Sequence, residues 1–235
     1  MQTIEYKESP SPHVIIDNFL GLPAAQTALT EAQELEPYYV DGNIGDGSRD
    51  ELDDCKECVA IKSLQRQMVR SNKVVYLDEH FAADRNQSKL LTSLQYAIKT
   101  PFFTESMANM PNLFPMASQT THMETVLSSY GKCDFYGWHR DIPMHSAFKR
   151  VITLVLHLNT EPQEYVGGEL ILAGRTVDDY IKYKPEHNRA ILFQSSSCLH
   201  AVNDTNHDGD FRDSLSLIHI SEPTRRYAIS YAVFC

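Results

Sequence analysis

The stretch Val151–Leu158 constrains this chain most. It is a nearly unbroken apolar run bounded by polar and turn-forming residues. Such a run is too short for a buried helix and suits a strand covered on both faces. Its surroundings read alike. Thr121–Tyr130 is β-rich, a strand follows the turn at Gly167-Gly168 and runs to Leu172, and Asn188–Phe193 and Leu215–Ile220 supply two more. Strands at short spacing, with no helices between them, predict a mainly β fold with flanking helices, a sandwich or barrel of jelly-roll type over 121–220.

The first 120 residues read as a helical and irregular support for that β core, the whole chain forming one domain. Val14–Leu20 predicts a short strand leading into a turn at Gly21. Pro23 suits the first turn of a helix, where its missing N–H costs nothing, and Pro37 stops that helix at about Glu36. Leu90, Leu91, Leu94, Ala97 and Ile98 recur at helical spacing and predict a helix over about Arg85–Lys99, ended by Thr100-Pro101. Residues 41–54 are rich in Gly and Asp and read as a mobile acidic loop, and 101–120, with Pro111 and Pro115, as a connection.

Charge and cysteine content narrow the function classes. Lys plus Arg number 21 against 31 Asp plus Glu, a net charge of -10, which disfavours binding to a phosphate backbone. No apolar run reaches the roughly 18 residues of a membrane helix. Met1–His13 contains no apolar core of a secretory signal, and five scattered cysteines predict reduced thiols in a cytoplasmic protein. Nothing in the pattern specifies an oligomeric state.

The chemistry-bearing pattern is His139-Arg140-Asp141. On a strand, residues i and i+2 share a face, so both side chains reach one ion. His200, in Cys198-Leu199-His200-Ala201-Val202, follows the strand ending at Phe193 after a polar turn. Two imidazoles and a carboxylate make the facial triad of non-haem Fe(II) oxygenases, which leaves positions open for other ligands. A lone His-x-Asp is a weak signal, and its bland reading is a polar surface strand. The context strengthens it: Tyr130-Gly131 precedes, Phe135-Tyr136-Gly137-Trp138 leads directly into His139, and Gly167-Gly168-Glu169-Leu170 lies between Asp141 and His200.

Taken together, these motifs resemble the prolyl 4-hydroxylase-like group of Fe(II)/2-oxoglutarate dioxygenases, closely over about 126–217 and more loosely before. The resemblance implies a double-stranded β-helix, Fe(II), 2-oxoglutarate, O2 and often ascorbate. It implies His139, Asp141 and His200 as metal ligands and catalytic centre. Asp141 fills the position that related halogenases leave small, which implies oxidation without halogenation. The far carboxylate of 2-oxoglutarate calls for a deep arginine, because the guanidinium binds a carboxylate bidentately. Arg212, opening Arg212-Asp213-Ser214-Leu215, fits the family pattern. Arg226, in Arg226-Tyr227-Ala228-Ile229-Ser230, fits a similar strand but needs a longer loop, and loop-length priors favour Arg212. Tyr130 matches a tyrosine that contacts the cosubstrate.

Strand parity adds two helpers. Val151, Thr153, Val155 and His157 share one face, while the even positions are large aliphatics of the packed exterior. If the odd face lines the barrel, Thr153 and His157 face the cosubstrate; the bland reading of His157 is a satisfied core histidine. Other signals carry less. Cys55-Lys56-Glu57-Cys58 has no second pair for a zinc site. Asp41–Gly47 departs from a calcium loop, with Leu52 where a glutamate belongs. His122, His145, His187, His207 and His219 lack ligand spacing, and Trp138 reads equally as entrance lining or packing. The run Ser214–Arg225 resembles translated sequencing-adapter sequence; if it is that, 214–235 is a non-native tail, and its polar-apolar alternation still allows it to pair as a strand.

The expected activity is hydroxylation of a protein residue, prolyl first, with 2-oxoglutarate converted to succinate. The alternatives are a small-molecule or free amino-acid hydroxylase of the same group, or a cupin-like metal protein without 2-oxoglutarate chemistry.

Overall fold

A computed structural model describes residues 1–42, 70–108, 110, 115, 123–131, 133–141, 150–160 and 163. It further describes 165–206 and the backbone of 214–219. Strands β1 (Thr3–Lys7) and β2 (His13–Asp17) lead to helix α1 (Leu22–Glu34), then β3 (Val40–Asp41) and β4 (Lys73–Tyr76). Three helices follow, α2 (Leu77–His80), α3 (Lys89–Ile98) and α4 (Pro101–Ala108). The rest is β: β5 (Val126–Ser129), β6 (Tyr136–His139), β7 (Ile152–Asn159), β8 (Val166–Gly167) and β9 (Leu170–Ala173). Then come β10 (Tyr180–Tyr183), β11 (Ala190–Gln194), β12 (Leu199–Val202), β13 (Thr205–Asn206) and β14 (Ser214–His219).

The major sheet runs β1-β2-β11-β7-β14-β5-β4-β3, and the minor sheet β10-β9-β12-β6. A two-stranded ribbon, β13-β8, closes one end. Two cores lie on opposite faces of the major sheet. On the outer face, Ile152, Leu154, Leu156 and Leu158 of β7 pack with Leu29 of α1 and with Leu90, Leu91 and Leu94 of α3. On the inner face, Val155 packs with Ile191 and Phe193 of β11, Leu170 and Leu172 of β9, Val202 of β12 and Tyr130. The even residues of β7 are thus the exterior side and the odd residues line the space between the sheets, as their parity predicts. Each fully buried aliphatic contributes about 1.5–3 kcal/mol, so β7, buried at every position, anchors both layers. The result is a jelly-roll double-stranded β-helix with flanking helices.

The Gly-Gly turn is dictated by the ribbon. Gly167 sits at φ +90°, and a Cβ there would stand 2.0 Å from the Asp204 carbonyl oxygen. Only glycine meets both conditions.

The front half departs from expectation in three places. Residues 101–108 are not a connection but helix α4, because Pro101 occupies the helix start instead of ending a structure. The segment from Arg85 divides into a 3-10 turn at Arg85–Gln87 and α3, with Ser88 capping the latter. Helix α1 ends at Glu34, and Pro37 lies within a 3-10 turn, Glu36–Tyr38, that continues the chain. The acidic loop from residue 43 onward, Cys55–Cys58, and Leu52 lie outside the described residues.

Candidate metal centre

Two neighbouring strands of the minor sheet bring the histidines together. β6 and β12 are antiparallel, and His139 stands directly opposite His200 in the ladder. Cross-strand partners point to the same face. Asp141 follows two residues after His139 and turns its carboxylate between the two rings. His139 Nε2 lies 3.6 Å from Asp141 Oδ1, and His200 Nε2 lies 3.5 Å from Asp141 Oδ2. One ligand atom from each residue falls within 4.8 Å of the others.

Proton bookkeeping gives this cluster its character. His139 Nδ1 contacts the Gly137 carbonyl at 2.8 Å, and His200 Nδ1 the Cys198 carbonyl at 3.2 Å. Carbonyls only accept, so each Nδ1 carries a proton, and in the neutral form of each ring the Nε2 lone pair faces Asp141. Two lone pairs and a carboxylate then converge on one point, an arrangement that calls for a cation. The donor set, two imidazole nitrogens and one carboxylate oxygen, is the one that suits Fe(II) with open positions.

The shell behind the cluster is ordered by hydrogen bonds and ring contacts. Thr153 Oγ1 donates to Asp141 Oδ2 at 2.6 Å, and Ser195 Oγ lies 2.8 Å from the same hydroxyl. Since the Thr153 proton goes to the carboxylate, Ser195 donates to Thr153. Phe193 lies against His200, with centroids 4.8 Å apart, and the Tyr136 ring stacks on His139 at 3.6 Å. Arg150 bridges Glu124, at 3.1 Å, and Asp141 Oδ1, at 3.9 Å. Burial pushes the Cys198 thiol up to about 12, so it is a protonated neighbour of the site.

The predicted helpers fall on the inner face. Tyr130 is buried in the inner core, and its hydroxyl has no hydrogen-bond partner among the described residues. Burial also pushes its pKa up, so it remains a proton donor. His157 is fully buried two residues beyond Val155, and burial, helped by the Arg189 charge, pushes its pKa down to about 3. It is a neutral imidazole at any physiological pH. Thr153 serves Asp141 by its hydrogen bond. Trp138 is 39% exposed beside His139. His187 is away from the cluster and accepts the Asn159 backbone N–H through Nδ1. Arg212, Arg226, His122, His145 and His207 lie outside the described residues.

Three residues around the metal cluster escape sequence reading. Arg150 is signalled only by its place before the apolar strand. Tyr136 stands within the His139 motif with nothing to separate stacking from packing. Arg70 carries no signal, because its approach depends on pairing between distant segments.

Residues 125–230 match the model of the 2OG-Fe(II) oxygenase superfamily. A PKHD-type hydroxylase from Picosynechococcus sp. is 37% identical over 92 residues, covering 39% of this chain. The match spans 40% of that relative's length. Among solved structures, a prolyl hydroxylase from Trichoplax adhaerens is similar, in complex with a hypoxia inducible factor oxygen degradation domain peptide fragment. Its TM-score is 0.59 at 16% identity, over 89% of this chain and 82% of that one. A Pseudomonas putida prolyl-4-hydroxylase aligns with TM-score 0.52 at 16% identity, over 90% and 92% of the two chains. The chain therefore shares the fold of prolyl hydroxylases.

Proposed function

We propose that this protein is an Fe(II)- and 2-oxoglutarate-dependent dioxygenase that hydroxylates a residue of a protein substrate, a prolyl residue first. One observation carries the reading: two Nε2 lone pairs and the Asp141 carboxylate converge, while both Nδ1 protons are tied to carbonyls. When bound there, Fe(II) couples the oxidative decarboxylation of 2-oxoglutarate to succinate with oxidation of a substrate C–H bond by O2.

The chain's own groups do the positioning. His139, Asp141 and His200 would hold the Fe(II) ion. Thr153 fixes the Asp141 carboxylate, and the Ser195 hydroxyl fixes Thr153. Tyr130 offers a buried O–H to the cosubstrate carboxylate. His157, neutral and on the same inner face, offers a second polar contact without adding charge. The cation for the far carboxylate is assigned to Arg212. Phe193 and the inner aliphatics exclude water from behind His200. The choice of a protein substrate is supported by the peptide held by the structurally similar Trichoplax enzyme.

The test is mass spectrometry of a lysate incubated with the enzyme, Fe(II) and 2-oxoglutarate. A gain of one oxygen atom on specific peptides is expected, and it should vanish without 2-oxoglutarate. Oxygen gain confined to free amino acids or other small molecules would contradict the protein-substrate assignment.

A further inference from the structure

Of the two histidines of the metal cluster, His139 is the less fixed by its own sheet. It sits on β6, an edge of the minor sheet. The ladder between β6 and β12 shifts register just past the His200–His139 pair. The His139 side chain retains 13% exposure, whereas His200 retains none. Its Nδ1 contact to Gly137 fixes the ring about one axis and leaves its tilt to other contacts.

A column of side chains stands on that ring. The Tyr136 ring lies on the imidazole with centroids 3.6 Å apart and planes 13° from parallel. The Arg70 guanidinium carbon stands 4.4 Å from the Tyr136 centroid. One face of the phenol is covered by His139, so the guanidinium takes the other. Arg70 is itself held: its Nε hydrogen-bonds to Asn72 Oδ1, and its backbone bridges Tyr136 antiparallel. Ser71 N–H donates to the Phe135 carbonyl at 3.0 Å, and Phe135 N–H donates to Ser71 Oγ at 3.2 Å. Asn72 in turn accepts the Gly42 N–H through its carbonyl at 2.8 Å. A Cβ on Gly42 would lie 2.5 Å from Arg70 Nε and 2.6 Å from Asn72 Oδ1, so a larger residue there would displace these side chains from the column.

We propose that Arg70 and Tyr136 are positioning residues for the metal centre: guanidinium, phenol and imidazole form one stack, braced by Asn72, that sets the plane of His139. The inference rests on the metal-centre reading. A cation on the π face of tyrosine is attracted by the ring quadrupole, and the flat contact below transmits that hold to the imidazole. Groups that orient a metal-binding histidine typically change metal affinity about 10–100-fold when removed.

Co(II) titration of the metal-free protein, followed by calorimetry, tests this apart from turnover. Tyr136→Leu should weaken Co(II) binding about tenfold or more, and Tyr136→Phe should restore it, since the ring face suffices. Arg70→Met and Gly42→Val should weaken it in the same direction, and Arg70→Lys should retain most of the affinity. Circular dichroism identifies variants that fold. Wild-type Co(II) affinity in folded Tyr136→Leu would overturn the proposal. If that variant does not fold, wild-type affinity in Arg70→Met overturns it instead. His139→Ala separates the two claims: if Co(II) affinity survives that change, the metal-centre reading itself fails.

Discussion

At the scale of single residues, the site is a problem of where protons reside. The two Nδ1–carbonyl contacts fix the tautomer in which His139 and His200 can offer Nε2 to a metal, and Thr153 completes the arrangement by anchoring Asp141. Replacing Thr153 by valine removes that hydrogen bond at nearly constant volume. Fe(II) affinity should fall about tenfold or more with the fold intact, as read by anaerobic titration. His157 yields a pH prediction. Its folded-state pKa of about 3 lies below the ordinary 6.5. The unfolded chain therefore takes up a proton as pH falls through 6.5, while the native state resists until about 3. Stability is complete above 6.5 and declines by about 1.4 kcal/mol per pH unit below it. In denaturant titrations between pH 7 and 4.5, His157→Phe should show a shallower decline than wild type; parallel declines would contradict this. The close spacing of His139 and Asp141 was legible in the sequence, although Asp141 lies just past the end of β6 and His200 arrives through the cross-strand pair. Arg150 and Arg70 were not, since each reaches the site through partners distant in sequence.

At the scale of elements, the clearest dependence lies between helices. The α3 N-terminus is capped twice. Ser88 Oγ accepts the Leu91 N–H at 3.0 Å, and the buried Glu31 carboxylate of α1 accepts the Lys89 and Leu90 N–H groups. Ser88 also donates to Glu31 at 2.5 Å, so one hydroxyl links the cap to the neighbouring helix. Ser88→Ala should cost about 1–2 kcal/mol in urea denaturation, and a change within experimental error would remove the cap from the account. A local pattern reveals Ser88 as a cap, but not that α1 supplies the second one. Strand β7 was legible in full, down to which face meets the helices. Helix α4 was not, because a proline after an expected helix end reads as termination although it equally starts a new helix. β14 shows how little a ladder asks of side chains. Its backbone pairs with β7 through Ser216↔His157 and with β5 through Leu215↔Ser129, in a run whose sequence resembles an adapter-derived tail.

At the scale of the whole molecule, the major sheet separates two tasks. Its outer face carries the helices and the larger aliphatic core, and its inner face carries the polar helpers Thr153 and His157, while the minor sheet bears the two histidines of the metal cluster. His139, Asp141 and His200 lie outside the outer core, so replacing them is expected to leave the fold intact. The jelly roll was legible from strand spacing, while the sheet order, which crosses between distant strands, depends on packing that no local pattern records. The central claim is that His139, Asp141 and His200 form an iron centre that recruits 2-oxoglutarate. Anaerobic calorimetry of 2-oxoglutarate binding, with and without Fe(II), tests it without any substrate. Wild type should bind 2-oxoglutarate only with Fe(II) present, and His139→Ala, Asp141→Ala and His200→Ala, each folded, should not. Binding that is indifferent to Fe(II), or that persists in any one of the three variants, would contradict the account.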